Sequence, residues 1–83
     1  MAKVILSGEV RTYTGPDVDP EIEIEATNVM QLFRELGKLY PNLKPVLEDG
    51  FAVSIDGEFH EGSLMQPIGP DAEIILIPKI AGG

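Results

Sequence analysis

The only histidine of the chain, His60, stands among carboxylates that could serve with it in acid–base or metal chemistry. Its neighbours in the sequence are Asp56, Glu58 and Glu61. General acid–base catalysis needs such groups held on a rigid, concave surface. Here they surround Asp56-Gly57, a strong signal for a tight hairpin turn, where solvated polar side chains are expected. The pattern therefore favours a surface hairpin over a catalytic or metal site.

A second acidic group, Asp17, Asp19 and Glu21, has the alternate spacing of a calcium-binding loop. Such a loop requires Gly at its sixth position and Glu at its twelfth, where this chain has Ile22 and Asn28. The spacing therefore does not predict a calcium site. The acidic residues are better explained as the solvated face of an edge strand, where like charges discourage pairing with another chain.

Other common components of catalytic sites are also missing from the sequence. The chain has no Cys, which excludes a thiolate nucleophile, a Cys-based zinc site and a disulfide framework. No glycine-rich loop opens a helix, as a phosphate-binding cradle requires. We therefore predict that the chain is not an enzyme by itself, and that it binds no metal ion and no cofactor.

The remaining candidate is the C-terminal segment, which reads PKIAGG from Pro78 to Gly83. The alternative explanation is an ordinary chain end, since chain termini are often small and mobile. The context favours a function, because a buried apolar run ends at Pro78 and the last three residues, Ala-Gly-Gly, have little or no side-chain bulk. Backbone that lacks Cβ atoms can pass through a narrow channel. The reactive group would then be the α-carboxylate of Gly83, which becomes an acyl donor only after activation, as by adenylation.

The elements that must position this segment begin with a predicted hairpin and helix. Residues 3–12 start with the β-branched and leucine residues of a strand, and a turn rich in Gly and Pro follows. Residues 21–26 (EIEIEA) alternate as in a strand with one face in water. From Asn28 the apolar residues recur every three or four positions, which predicts an amphipathic helix. Asn28 would cap it, Gln31 would complete a variant capping box, and Pro41 would end it.

The second half of the chain is predicted to form a connector and further strands. Residues 43–50 are predicted as the connector, 51–55 (FAVSI) as a short strand, and 58–60 as the return strand after the Asp56-Gly57 turn. Residues 73–78 (EIILIP) contain four consecutive apolar residues, which predicts a central strand buried on both faces.

The order of the main elements is strand, strand, helix, strand, strand, with the last strand beside the first. This order predicts an α+β fold of the β-grasp type, with a mixed sheet packed on one main helix. We expect the β-grasp domain to cover residues 1–78 and a flexible C-terminal tail to cover residues 79–83.

Length and charge exclude several classes of protein. The chain has 83 residues, which is enough for one domain, and its 6 Lys+Arg against 14 Asp+Glu give a net charge of −8. This charge would repel nucleic acids and anionic membranes. No apolar run approaches the roughly 18 residues of a membrane span, and the N-terminus turns polar too soon for a signal peptide. We therefore expect a cytoplasmic protein.

A β-grasp domain that ends in Gly-Gly resembles the ubiquitin-related sulfur carriers of the MoaD/ThiS family, and MoaD-like members most of all. The resemblance covers nearly the whole chain. Its specificity comes from the order and spacing of several short segments, which are KVIL and EVR near the start, LYPNL, LEDG, SIDGE, and PDAEIILIPKIAGG at the end.

The resemblance implies a mechanism that depends on partner proteins. An adenylating enzyme of the ubiquitin-activating type would bind the domain and use ATP to convert the Gly83 carboxylate to an acyl-adenylate. Sulfur from a persulfide enzyme would then displace AMP and leave a thiocarboxylate on Gly83. A sulfur-acceptor synthase would take up this sulfur, and in MoaD-like members that partner is the large subunit of molybdopterin synthase.

The resemblance also implies which residues form the site. Gly82 and Gly83 carry over directly from the family motif. The positions at which family members make tail and docking contacts are Ile77, Lys79, Ile80 and Ala81. Three alternatives stay open: a ubiquitin-like modifier conjugated through Gly83, a sulfur carrier for thiamine, cysteine or another thio-metabolite, and an interaction domain whose tail is incidental.

Overall fold

The fold is a mixed β-sheet with three helices, seen in a computed structural model that describes residues 1–6, 8, 10–15, 17, 19–60 and 64–78. The five strands lie in the order β2-β1-β5-β3-β4. β1 and β5 are parallel, and the other neighbouring strands are antiparallel. The elements in chain order are β1 (Ala2–Ile5), α1 (Val10–Thr14), β2 (Glu21–Ile24), α2 (Val29–Leu39), α3 (Lys44–Gly50), β3 (Phe51–Ile55), β4 (Glu58–His60) and β5 (Glu73–Pro78).

The predicted α+β fold of the β-grasp type is confirmed, with the last strand paired beside the first. The return strand predicted for residues 58–60 is also confirmed as β4. The predicted order counted four main strands and left this one out, whereas β4 is a fifth strand at one edge of the sheet. The predicted alternation in β2 is also confirmed. Ile24 is buried, while Glu21 and Glu23 are exposed along the opposite edge of the sheet.

The main helix, α2, begins at the predicted cap. The Oδ1 atom of Asn28 accepts a hydrogen bond from the backbone N–H of Gln31 at 2.9 Å. The Gln31 side chain does not close the box on Asn28, because its Oε1 atom accepts instead from the N–H of Thr27 at 3.0 Å and from the Thr27 hydroxyl at 2.9 Å. The helix ends at Leu39, two residues before Pro41, as the proline predicts.

One face of the sheet is covered by α2 and α3, and the core lies between the sheet and these helices. Leu32 and Leu36 of α2 are fully buried in it. The helices approach each other closely at Gly37, where a Cβ atom would lie 3.2 Å from the Cβ atom of Lys44. The buried residues of this core are Ala2, Val4, Leu6, Val10, Ile24, Ala26, Val29, Leu32, Phe33, Leu36, Leu43, Leu47, Phe51, Val53, Ile55, Ile68, Ala72, Ile74 and Leu76.

The prediction of one strand over residues 3–12 is wrong in its second half. The strand ends at Ile5, and helix α1 begins at Val10. Val10 and Tyr13 stand three residues apart, so a helical turn directs both towards the core. Val10 is fully buried, and the Tyr13 ring packs edge-on against the Phe51 ring, with 6.3 Å between the ring centroids. Gly15 follows the helix with a φ of 99° and donates its N–H to the Arg11 carbonyl at 2.9 Å. Tertiary packing therefore decides the conformation of this segment.

The prediction of a connector over residues 43–50 is wrong, because Lys44–Gly50 form helix α3. Leu43 and Leu47, four residues apart, are both buried, which is the spacing of one helix face. Pro45 lies in the first turn, where its missing N–H removes no hydrogen bond within the helix. The sequence pattern is therefore helical, but it is too short to stand out without the packing of the two leucines.

The prediction that the central strand β5 is buried on both faces is wrong. Ile74 and Leu76 are buried in the core, but Ile75 and Ile77 are only partly buried. A continuous apolar run indicates two covered faces in sheets that carry helices on both sides. In this fold α2 and α3 lie on one side, so alternate isoleucines of β5 reach the other side of the sheet.

We expect Gly57→Ala to lower the free energy of unfolding by about 1 kcal/mol, measured by urea denaturation. Asp56 and Gly57 form the turn between β3 and β4 with φ values of 51° and 87°, and a Cβ atom at Gly57 would have no neighbour within 4 Å. The expected loss therefore comes from the backbone conformation alone. Gly69→Ala is the matched control, because Gly69 has equally open surroundings without a positive φ. Equal losses in the two variants would contradict this explanation.

Candidate functional site

The side of the sheet opposite α2 carries a continuous apolar surface, which we call the open sheet face. It crosses four neighbouring strands, because Ile5 pairs with Ile75, Ala52 with Ile77, and Ser54 with both Ile75 and Phe59. Alternation along each strand places these residues on the side away from the core. The open sheet face consists of Ile5, Ala52, Ser54, Phe59, Ile75 and Ile77.

The middle of the open sheet face consists of small side chains that lie between larger ones. Ala52 and Ser54 on β3 are 3% and 8% exposed, and their described cross-strand neighbours are larger: Ile77 beside Ala52, and Ile75 and Phe59 beside Ser54. Phe59 is 55% exposed, and Ile75 and Ile77 are partly exposed. Exposed contiguous apolar surface of this kind is typical of a protein interaction site.

Charged residues border the open sheet face on the side of β1 and β2. Lys3 is paired in register with Glu23 and Glu73, and its Nζ atom lies 3.8 Å from the Oε1 atom of Glu21. This exposed ion pair contributes little to stability. One lysine among three glutamates leaves this border acidic. A partner surface that combines apolar and basic residues would complement it.

The predicted tail residues follow directly from a strand of the open sheet face. Ile77 lies on this face, and Pro78 ends β5 opposite Phe51 of β3. Of the site residues predicted from the sequence, Ile77 alone lies among the described residues, and it belongs to the open sheet face. The others lie outside the described residues, and these are Lys79, Ile80, Ala81, Gly82 and Gly83.

The described carboxylates around His60, those of Asp56 and Glu58, do not converge into a site. His60 Nε2 lies 3.8 Å from Glu58 Oε1, on a side chain that is 78% exposed. Asp56 instead has a structural function, because its Oδ1 atom accepts from the Glu73 N–H and its own N–H donates to the Glu73 carbonyl, both at 2.9 Å. Glu61 lies outside the described residues. In the part of the chain that is described, no three His, Asp or Glu residues are placed to hold a metal ion.

The N-terminus of α2 is closed to anions by the protein itself. The N–H groups of Val29 and Met30 donate to the carbonyls of Gln66 and Leu64, at 3.1 and 2.8 Å. The next N–H, that of Gln31, donates to the Asn28 side chain. The groups that bind phosphate at open helix ends are therefore already satisfied here.

No helix in the described ranges is long and apolar enough to cross a membrane.

The strand order, the main helix on one side and the open apolar face on the other define a ubiquitin-like β-grasp protein. Solved structures agree with this class. The solution structure of small archaeal modifier protein 1 from Methanosarcina acetivorans is similar with a TM-score of 0.78 and 24% identity, over 99% of this chain and 95% of that one. A chain in the crystal structure of the BexX/CysO complex from Amycolatopsis orientalis is similar with a TM-score of 0.79 and 19% identity, over 100% of this chain and 100% of that one.

A third similar structure is the Pyrococcus furiosus protein assigned as molybdopterin converting factor, subunit 1, with a TM-score of 0.69 and 18% identity over 95% of this chain and 97% of that one. At these identities the structures show a shared fold. The sequence model of the ThiS family matches residues 4–83, and the chain belongs to this family. A search of curated protein sequences finds no significant match.

Membership of the ThiS family confirms the resemblance found in the sequence. The chain has the fold of small ubiquitin-like sulfur carriers and modifiers, which are generally non-catalytic. Sequence reasoning did not identify the open sheet face as a surface, apart from Ile77. Part of the signal was available, because Phe59 is an aromatic residue in the short return strand after the hairpin turn and lies between two polar residues.

Proposed function

We propose that this chain is a sulfur carrier of the MoaD-like type, whose C-terminal Gly83 is adenylated and then converted to a thiocarboxylate. The observation that carries the proposal is the extent of the family match, which runs from residue 4 through Gly82 and Gly83. The proposal requires that Gly83 carry the free α-carboxylate in the mature protein. The chain would be a cosubstrate, or a non-catalytic small subunit when it is bound to a synthase.

The open sheet face would dock on an adenylating enzyme of the ubiquitin-activating type. Its apolar centre supplies area that is stabilising when buried, and its acidic border favours encounter with a basic surface. Ile77 lies on this face, and the tail predicted for residues 79–83 begins two residues later. An enzyme bound to this face would therefore hold the tail close to its own ATP site, with Lys79, Ile80 and Ala81 along the path.

The chemistry would use the end of the backbone and no catalytic side chain of this protein. A carboxylate oxygen of Gly83 attacks the α-phosphate of ATP, and pyrophosphate leaves. The terminal sulfur of a persulfide enzyme then displaces AMP from the acyl-adenylate, and a thiolate cleaves the resulting S–S bond. The thiocarboxylate that remains on Gly83 is the form that would donate sulfur in cofactor biosynthesis.

A second candidate function is a protein modifier, and the similarity to small archaeal modifier protein 1 favours it. In this case the activated Gly83 would be transferred to lysine amines. The similar structures also leave the sulfur pathway open, since one contains CysO and another is assigned to molybdopterin conversion. Sulfur for thiamine, cysteine or another thio-metabolite is therefore an alternative to molybdopterin.

Intact mass spectrometry of the protein purified from its natural host distinguishes the two candidates. A carrier is expected to show a form about 16 Da heavier, since one oxygen of the activated acyl group is replaced by sulfur. A modifier is expected to show isopeptide-linked conjugates at Gly83. If neither form exists and a Gly83 deletion remains fully active in the host, both proposals are wrong.

We expect Ile77→Asp to weaken binding to the adenylating enzyme by at least about tenfold, measured by titration calorimetry. The substitution places a charge on the open sheet face, where docking would remove it from water. Met65→Asp is the matched control, since Met65 is 69% exposed and lies beside α2, on the other side of the sheet. Equal affinity of the Ile77→Asp variant and the parent protein would show that docking uses another surface.

A further inference from the structure

The strand β4 has an outer edge without a partner among the described strands and with a defined hydrogen-bonding pattern. Among the described strands it pairs only with β3, through the two-residue turn of Asp56 and Gly57. In a hairpin with a two-residue turn, the residues that flank the turn form a hydrogen-bonded pair, here Ile55 and Glu58. Hydrogen-bonding directions alternate along a strand. The N–H and C=O of Phe59 therefore point outward, away from β3.

The side chains of β4 are complementary to a second copy of the same strand. If two copies pair antiparallel about Phe59, each Phe59 faces its counterpart and each Glu58 faces the other copy's His60. Glu58 is an acceptor, and an imidazole always has at least one N–H to donate. His60 Nε2 already lies 3.8 Å from the Glu58 Oε1 of its own chain, so a carboxylate can approach this nitrogen.

We propose that β4 is a self-pairing edge, through which two copies of this chain form a two-fold symmetric dimer. Each Phe59 N–H donates to the Phe59 carbonyl of the other copy, and the two five-stranded sheets become one continuous sheet. Glu58 and His60 form the flanking pairs without backbone hydrogen bonds, whose side chains approach most closely. The two Phe59 rings, each 55% exposed in one copy, meet on the open sheet face.

The opposite edge of the sheet does not offer the same pairing. Glu21 and Glu23 are exposed on β2, and antiparallel pairing of two β2 strands would bring glutamates of both copies together. Like charges in this arrangement protect an edge strand from association. Self-pairing through β4 is an interface of three residues per copy, so it belongs with the small and weak interfaces. It goes beyond the proposed function, because it needs neither the tail nor a partner enzyme.

Sedimentation equilibrium of the full chain, from micromolar to millimolar concentration, tests the proposal with three variants. Glu58→His removes the acceptor opposite His60, and His60→Glu places two carboxylates opposite each other. We expect each substitution to weaken dimerisation about tenfold. The double variant Glu58→His/His60→Glu keeps the composition and net charge and restores each complementary pair, so its dissociation constant is expected to return close to that of the parent chain.

Two results would overturn the proposal. The first is a parent chain that stays monomeric over the whole concentration range. The second is a dimer whose dissociation constant is unchanged in both single variants, or is not restored in the double variant. Glu58 is 78% exposed, so Glu58→His remains informative even where a change at the mostly buried His60, 16% exposed, affects folding.

Discussion

Deletion of Gly83 is expected to abolish activation of this protein by its adenylating enzyme. The shortened chain still ends in a glycine carboxylate, but the reacting atoms lie one residue, about 3.5 Å, short of their place. A misplacement of about 1 Å can already cost 100-fold in rate, so we expect a loss of more than 100-fold. The rate of ATP–pyrophosphate exchange measures this step directly, before any sulfur is transferred.

Two comparisons separate loss of the reacting group from other effects of the deletion. Gly83→Ala keeps the length of the tail and adds one Cβ atom, so its rate is expected to fall between that of the deletion and that of the parent chain. The free energy of unfolding is expected to stay unchanged in both variants, because the predicted domain ends at residue 78. A deletion variant that supports exchange at the parental rate would contradict the assignment of the reactive group to Gly83.

Ile74→Ala is expected to be among the most destabilising single substitutions, with a loss of about 2–5 kcal/mol in the free energy of unfolding. Ile74 is 0% exposed on the central strand β5, with Val4 and Ile55 as its cross-strand neighbours. Small domains have a total stability at the lower end of about 5–15 kcal/mol. The substitution would therefore remove a large fraction of it, as urea denaturation can measure.

Ile75→Ala is the matched control for this prediction, because it makes the same chemical change one residue along the same strand. Ile75 lies on the open sheet face and is only partly buried. Its truncation leaves no cavity inside the core, so the expected loss is about 1 kcal/mol or less. Similar losses at the two positions would mean that both faces of β5 are covered, as the apolar run in the sequence suggested.

Much of the fold was predictable, because several signals depend only on local chemistry. The alternation in EIEIEA, the N-cap Asn28 and the Asp56-Gly57 turn all correspond to elements in the structure. The two short helices were not predicted, since α1 is fixed by packing of Tyr13 on the distant Phe51 and α3 by burial of Leu43 and Leu47. Local patterns of this length do not decide between helix and strand without their tertiary partners.

Only part of the candidate site could likewise be predicted from local sequence, because the rest depends on residues that are distant in the chain. The predicted function of Gly82 and Gly83 rests on residue type and position, which the sequence contains directly. The open sheet face brings together residues of β1, β3, β4 and β5, so it depends on strand order and register. The run EIILIP shows that β5 is apolar, but only the position of the helices shows that Ile75 and Ile77 face outward.

The most direct test of the central proposal is the mass of residue Gly83 after reaction with the adenylating enzyme, ATP and a persulfide sulfur donor. Intact and fragment mass spectra of the product are expected to show an increase of about 16 Da that is confined to the C-terminal fragment, as replacement of one oxygen by sulfur requires. A product that keeps its original mass after complete ATP-dependent adenylation, or an increase located elsewhere in the chain, would contradict the proposal that this protein carries sulfur on its C-terminal glycine.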